Sequence, residues 1–284
     1  MKYLIPLLFV LSTFSTTAHS QIITPEGYIV EIEPLVITNT PGIRSYSWGK
    51  TSDGKWLIIG GRIDGLHQRQ PFASFLEADN NKFAFVIDPV AEQTWSASLS
   101  GLSAGLFEQL QSTNQEFYQR DTTLYVFGGY GFSASQNDHI TYPNITAIDV
   151  DGLAQAIITG SSINSYFRQI TDVRMKVTGG QVGYMDSTFY LVGGQLFDGR
   201  YNPMGMPTYT QTYTNSIRAF SVNNSDSVPV ISNYTETVDV AHLHRRDYNL
   251  VPQNYNGEFG YMISSGVFQH NVDLPFLYPV EIKS

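Results

Sequence analysis

Side chains able to recognise a ligand gather in three polar stretches, 62–80, 130–143 and 195–214, and at two shorter places, Arg168 and Arg245-Arg246-Asp247. The stretches carry Arg62, Asp64, His67, Arg69, His139, Asp198, Arg200 and Tyr201. Arginine presents a planar fork of donors that grips a carboxylate through two hydrogen bonds, and it stacks on aromatic rings. Arginines among tyrosines therefore suit a carboxylate or sugar ligand, and Arg62, Arg168, Arg200, Tyr201, Arg245 and Arg246 are the candidate binding residues. A competing reading has these charges pair with one another to hold long loops in place, with Asp198 and Asp247 neutralising two of the arginines. Ligand binding would require Arg200, Arg245 and Arg246 to converge, because clustered like charges repel unless something else rewards the cluster.

Other constellations are weaker. No general acid and base pair, and no nucleophile with a matched base, emerges from spacing, so no catalytic residue is assigned. His242-x-His244 would put two imidazoles on one side of an extended segment, but a third ligand at a fixed offset is missing and solvent-facing histidines are the preferred reading. Asp149-Val150-Asp151-Gly152 resembles the start of a calcium loop, yet its twelfth position, Gly160, lacks the bidentate acid, leaving a turn that ends a strand. With no cysteine in the chain, disulfides and thiolate metal sites are excluded. No metal and no cofactor is expected.

What positions these stretches is a repeat. Trp56-Leu57-Ile58-Ile59-Gly60-Gly61, Leu124-Tyr125-Val126-Phe127-Gly128-Gly129 and Thr188-Phe189-Tyr190-Leu191-Val192-Gly193-Gly194 are apolar runs that stop at a glycine pair, and Tyr261-Met262-Ile263-Ser264-Ser265-Gly266 is a worn fourth copy. Each reads as a buried strand with a sharp exit. Positions 60, 128, 193 and 265 lie 68, 65 and 72 residues apart, a near-constant period that indicates a repeat architecture. One of the polar insertions follows each of the first three pairs, and a second apolar run comes in all four repeats: Phe83 to Asp88, Ile145 to Asp149, Ile217 to Val222 and Leu274 to Ile282. Asn81, Asn144 and Asn215 stand just ahead of the first three runs.

Apolar residues ending in Gly-Gly, then a loop, an Asn, an apolar strand closing near Asp and a following Trp95 resemble the kelch motif of β-propellers. The resemblance runs from about Ser45 to the C-terminus. It departs from the motif in three ways: Trp occurs in the first repeat only, Ser265 replaces a glycine, and the period exceeds about 50 residues. It implies an all-β kelch-like propeller of four-stranded antiparallel blades, at about 45–99, 116–158, 173–234 and 247–284. In that meander the insertions share one rim with the starts of the innermost strands, and Arg168 and Arg245-Arg246 are expected there too. Galactose-oxidase-like members of the fold use a tyrosine cross-linked to cysteine, which this chain lacks. The turn from Thr51 to Trp56 echoes a sialidase Asp-box with one residue too few. Kelch-type sialic-acid mutarotases would fit an arginine-rich face.

Within the repeats, Ser52-Asp53-Gly54, Arg120-Asp121, Met185-Asp186-Ser187 and Asn256-Gly257 are the expected turns. Outer strands are expected at 95–99 and 228–231, a helical turn at 102–110, and a strand at 28–33 that could supply the outer strand of the last blade. The fourth repeat ends after its third strand, so an incomplete ring of about four blades is expected, from the N-terminal part of a longer protein or a truncated reading frame, with a closed four-bladed ring as the alternative. Residues 1–20 have the charged, apolar and small-residue regions of a secretory signal peptide, and the apolar run is too short to span a membrane. Export to the periplasm, cell surface or medium follows. Three sequons, at Asn144, Asn223 and Asn233, are read as coincidental beside a bacterial-looking leader. A net charge of −9 argues against a nucleic-acid partner. The expected function is a non-catalytic module that binds protein or glycan, and the alternative is a carbohydrate-active or sialic-acid mutarotase-like enzyme.

Overall fold

The computed structural model describes residues 21–23, 29–66, 68, 70, 72–204, 208–224 and 228–283. Residues 1–20, where a signal peptide is expected, and His67 and Arg69 lie outside them. The chain divides into two units, residues 1–36 and 37–284. In the first, β1 (Gln21–Ile23) and β2 (Ile29–Glu31) form an antiparallel pair, so the strand expected at 28–33 takes β1 as its partner. Among the described residues no helix is long and apolar enough to cross a membrane.

The second unit is built from sheets of one design. Blade one is β3 (Ser47–Lys50), β4 (Trp56–Ile59), β5 (Phe83–Asp88) and β6 (Gln93–Ser98), hydrogen-bonded in that order. Blade two is β7 (Glu116–Arg120), β8 (Thr123–Phe127), β11 (Asn144–Asp149) and β12 (Phe167–Thr171). Blade three is β13 (Gln181–Met185), β14 (Thr188–Val192), β17 (Ser216–Asn223) and β18 (Val230–Val238). Blade four has three strands among the described residues: β19 (Arg246–Tyr255), β20 (Glu258–Val267) and β21 (Val280–Lys283). The three glycine-pair runs are thus equivalent second strands, as the period predicts.

The second repeat does not stop at Ile158. Asp149 closes β11 and accepts a hydrogen bond from the Gly152 amide, capping α2 (Val150–Thr159), and the outer strand β12 follows. Val150, Leu153, Ala154, Ala156 and Ile157 recur with helical spacing and are buried, which is why the segment expected to be a plain turn continues as a helix. A second helix, α1 (Ala104–Leu110), leads from blade one to blade two, and a third, α3 (Val240–Leu243), from blade three to blade four. The outer strand expected at 228–231 starts at Val230 and runs on to Val238.

Blades stack face to face. Leu57, Ile59 and Val86 of blade one meet Leu124, Val126 and α2 of blade two. Tyr125 and Phe127 of blade two meet Phe189, Leu191 and Phe220 of blade three, and Val192 meets Tyr248, Tyr261 and Ile263 of blade four. Each fully buried large side chain contributes about 1.5–3 kcal/mol, so the interfaces between blades, rather than single blades, stabilise the unit. The exits from the second strands explain the glycines. A Cβ on Gly128 would lie 2.0 Å from the Val177 carbonyl oxygen, where the chain entering blade three passes. Ser265 keeps the left-handed backbone of the residues it replaces, with φ of 59°. Asn81 clasps the first exit: its amide donates to the Gly60 and Phe83 carbonyls, and its carbonyl accepts from the Phe83 amide.

Two of the insertions are not loops. The second supplies β9 (Tyr130–Ser133) and β10 (Asp138–Thr141), the third β15 (Gln195–Gly199) and β16 (Tyr209–Tyr213), and the four join as one sheet in the order β16-β15-β10-β9. The seam is Ile140 opposite Asp198, reinforced by the Thr141 hydroxyl, which donates to the Phe197 carbonyl and accepts from its amide. Pairing across insertions satisfies backbone groups that long loops would leave to solvent.

Candidate functional site

Every blade delivers the same pair of residues to one rim. Arg44-Ser45, Thr113-Asn114, Thr178-Gly179 and Arg246-Asp247 each precede or open an innermost strand, and the second member always has a left-handed backbone, with φ of 54°, 49°, 67° and 54°. In three blades the first member exchanges two backbone hydrogen bonds with the residue just after the glycine pair: Arg44 with Arg62, Thr113 with Tyr130, Thr178 with Gln195. In the fourth, Arg246 stands opposite Val267. The repeat therefore locks each insertion to the start of its own blade, which places all three over one end of the propeller axis.

A cleft of about 200 Å³ opens there. Its floor is Arg44, Asn114, Thr178, Gly179, Gln195, Arg246 and Asp247, and its roof is Phe75, Tyr130, Phe197 and Tyr201 from the three insertions. The roof is rigid. Phe75 meets Tyr130 edge-on at 5.4 Å and Tyr201 at 5.6 Å, while Phe197 meets Tyr130 at 5.5 Å and Tyr201 at 5.2 Å. The Tyr130 hydroxyl donates to the Gly199 carbonyl and accepts from the Tyr201 amide, and burial raises its pKa above the usual phenol range. His139 shares a 2.8 Å hydrogen bond with the Phe75 carbonyl through Nε2, and burial lowers its pKa, so it stays neutral at pH 7.

The structure separates the candidate arginines. Arg62 is 1% exposed and saturated: it forms salt bridges with Asp64 at 2.8 Å and Asp79 at 3.5 Å and donates to the Asn80 side chain and the Leu76 carbonyl. Arg200 donates through Nε to the Ser74 carbonyl, tying the third insertion to the first. Arg245 is also 1% exposed, donates to the His242 and Ser265 carbonyls and lies 3.8 Å from the Phe276 ring centre. Arg168 is not on this rim. It stands opposite Ala147 on β12 and donates to the Asn224 carbonyl, beyond the far end of β17, because the outer strand enters its blade from the opposite rim. Arg200, Arg245 and Arg246 accordingly do not converge, and of the six candidates only Arg246 and Tyr201 line the cleft. Asp198 pairs with Lys176 rather than Arg200.

Arg246 lies 5.5 Å from the Phe268 ring centre, its charge acts on the Tyr213 hydroxyl and, among the described residues, it has no salt bridge. The sequence reading missed Arg44, Asn114, Thr178 and Gln195. Their signal was the repeat itself: Arg44, Thr113 and Thr178 precede their glycine pairs by 16, 15 and 15 residues. His242 lies in α3 with Nδ1 on Asp239, whereas His244 stacks on Tyr213 at 3.8 Å, so the two imidazoles do not sit together on an extended segment. Among the described residues no group of three or more His, Cys, Asp or Glu could hold a metal ion.

Beneath the cleft, and sharing Asn114, Gly179 and Asp247 with it, lies a second space of about 230 Å³ around the axis. Glu116, first residue of β7, lines it and is 3% exposed. One carboxyl oxygen accepts from the Gly180 amide at 2.6 Å and the other has no hydrogen-bond partner. Burial pushes its pKa up to about 8 against the opposing pull of the Gly180 hydrogen bond and Arg218.

No protein-family model and no curated relative matches the chain. In three dimensions it is similar to the solved structure of YjhT, with a TM-score of 0.50 and 12% identity over 93% of this chain and 77% of that one. This likeness shows the fold, an all-β propeller of antiparallel blades. Since 122 solved chains match, the scaffold is too widely shared to name a ligand.

Proposed function

We propose that this propeller binds one small, carboxylate-bearing sugar in the cleft between the inserted sheet and the axis. The observation that carries the reading is Arg246, a guanidinium without a salt bridge among the described residues, on the floor of a cleft roofed by Phe75, Tyr130, Phe197 and Tyr201. A planar fork opposite aromatic rings suits a carboxylate on a ring with apolar C–H faces. Asn114, Thr178, Gln195 and Asp247 supply donors and acceptors for hydroxyls. Arg44 completes the mouth, its guanidinium 3.5 Å from Asp64.

Calorimetric titration with N-acetylneuraminate, glucuronate and neutral glucose tests this. Binding of a sugar acid but not glucose, abolished in Arg246→Ala at unchanged melting temperature, is the expected result. Failure of every sugar acid to bind overturns it and leaves protein recognition by the insertions as the use of the face. Faster exchange between anomers of a bound sugar, read by NMR, would add an isomerase activity of the mutarotase kind.

A further inference from the structure

We infer that Glu116 determines specificity at the bottom of this site: its unpartnered carboxyl oxygen, carrying the acid proton, donates to an acceptor oxygen of the bound sugar. The inference rests on the binding reading above and deepens it. The two spaces share Asn114, Gly179 and Asp247 in their linings, so the space that Glu116 lines borders the cleft that Arg246 lines. Glu116 is fixed there on a strand, and its first oxygen is held by the Gly180 amide. Gly180 sits where a Cβ would lie 2.9 Å from the Val192 carbonyl oxygen, which allows the close approach.

Burial is what disfavours the ionised form of Glu116, against the pull of the Gly180 amide and of Arg218. Arg218 of β17 acts on it as a cation; one guanidinium nitrogen donates to the Arg174 carbonyl, the other two have no hydrogen-bond partner, and among the described residues it makes no salt bridge with Glu116. On β19, the Tyr248 hydroxyl is committed to the Val192 carbonyl, and Asp247 adds a negative charge to the same space. Tyr46 lines it from blade one. With burial holding the pKa at about 8, the carboxyl is protonated at neutral pH. An acid O–H without an acceptor costs free energy that a ligand oxygen recovers. A ligand lacking an oxygen at that point leaves the donor unmet, which is how a buried polar group discriminates.

The test measures affinity of the full chain for N-acetylneuraminate and glucuronate at pH 6.5 and 9.5, for wild type and Glu116→Gln, with circular dichroism melts confirming the fold. The expected result is wild-type affinity at least tenfold weaker at pH 9.5, and Glu116→Gln affinity equal at both pH values, because an amide donates at either. If the sugar acids bind wild type equally at both pH values, or if folded Glu116→Gln fails to bind at pH 6.5, the donor role is overturned while the binding reading stands. If wild type binds no sugar acid at either pH, the binding reading falls and this inference with it.

Discussion

Arg62 and Arg246 stand on the same rim, one just past the exit of blade one's second strand and the other at the entrance of blade four, and their surroundings are opposite in kind. Arg62 has two carboxylates, an amide oxygen and a carbonyl within reach, and it is sealed from solvent. Arg246 has a ring, a tyrosine and an open cleft. A buried guanidinium satisfied within its own insertion holds that insertion's shape. One that faces a cavity with no salt bridge among the described residues is available to a ligand. Residue type alone does not separate the two.

The comparison is sharpest where the expected effect is largest. Arg62→Ala leaves Asp64, 10% exposed, with only the longer 3.5 Å pair to Arg44, and removes the clamp on residues 76–80. Breaking a buried pair from one side costs about 3–5 kcal/mol, so a corresponding loss of stability in urea titration is expected. Stability within about 0.5 kcal/mol of wild type would show that the network is not what holds the first insertion.

Next in size is the pH dependence that Glu116 imposes on folding. Its folded pKa of about 8 lies above the ordinary 4.5, so the stabilising contribution is fully present below about pH 4.5 and is lost as pH rises through about 8. Over that window stability should fall by at most about 1.4 kcal/mol per pH unit. Chemical denaturation at pH 5, 6.5 and 8 in wild type and Glu116→Gln reads the slope, which the glutamine removes. Parallel curves for the two proteins would mean that Glu116 ionises as readily folded as unfolded.

Arg246→Ala moves stability least among the arginines, within about 0.5 kcal/mol, while sugar-acid affinity drops at least tenfold, about 1.4 kcal/mol. Should the substitution instead lower the melting temperature as Arg62→Ala does, Arg246 is structural and the contrast between the two corners disappears.

How far these roles could be seen in sequence follows from what each depends on. The blades were legible because a buried strand writes its apolar run and its glycine exit locally, and even the worn fourth copy shows, since Ser265 holds φ at 59°. The inserted sheet was not, because β10 and β15 come from different repeats and meet through Ile140 and Asp198, a pairing with no local pattern. Arg168 was put on the wrong rim because the length of α2 hid the outer strand that follows it. Glu116 carries no signal of its own: its chemistry comes from the Gly180 amide and from blades that close over it.

The smallest expected effect concerns Asp198, an acid on the seam of the inserted sheet that sequence proximity would assign to Arg200. It is 57% exposed and pairs with Lys176, 24% exposed, at 2.8 Å. An exposed pair of this sort contributes about 0.2–1 kcal/mol, because water screens the attraction and both side chains lose freedom to keep it. The backbone seam at Ile140 and the Thr141 hydroxyl do not need the carboxylate. Asp198→Asn should therefore lower stability by less than about 1 kcal/mol, with the difference shrinking as salt is added, since the Debye length falls to about 3 Å at 1 M. Sugar-acid affinity should stay as in wild type, because Asp198 does not line the cleft. A loss of affinity with stability intact would extend the site to the seam, and the line drawn here between charges that hold insertions and charges that meet a ligand would then have to run through the inserted sheet itself.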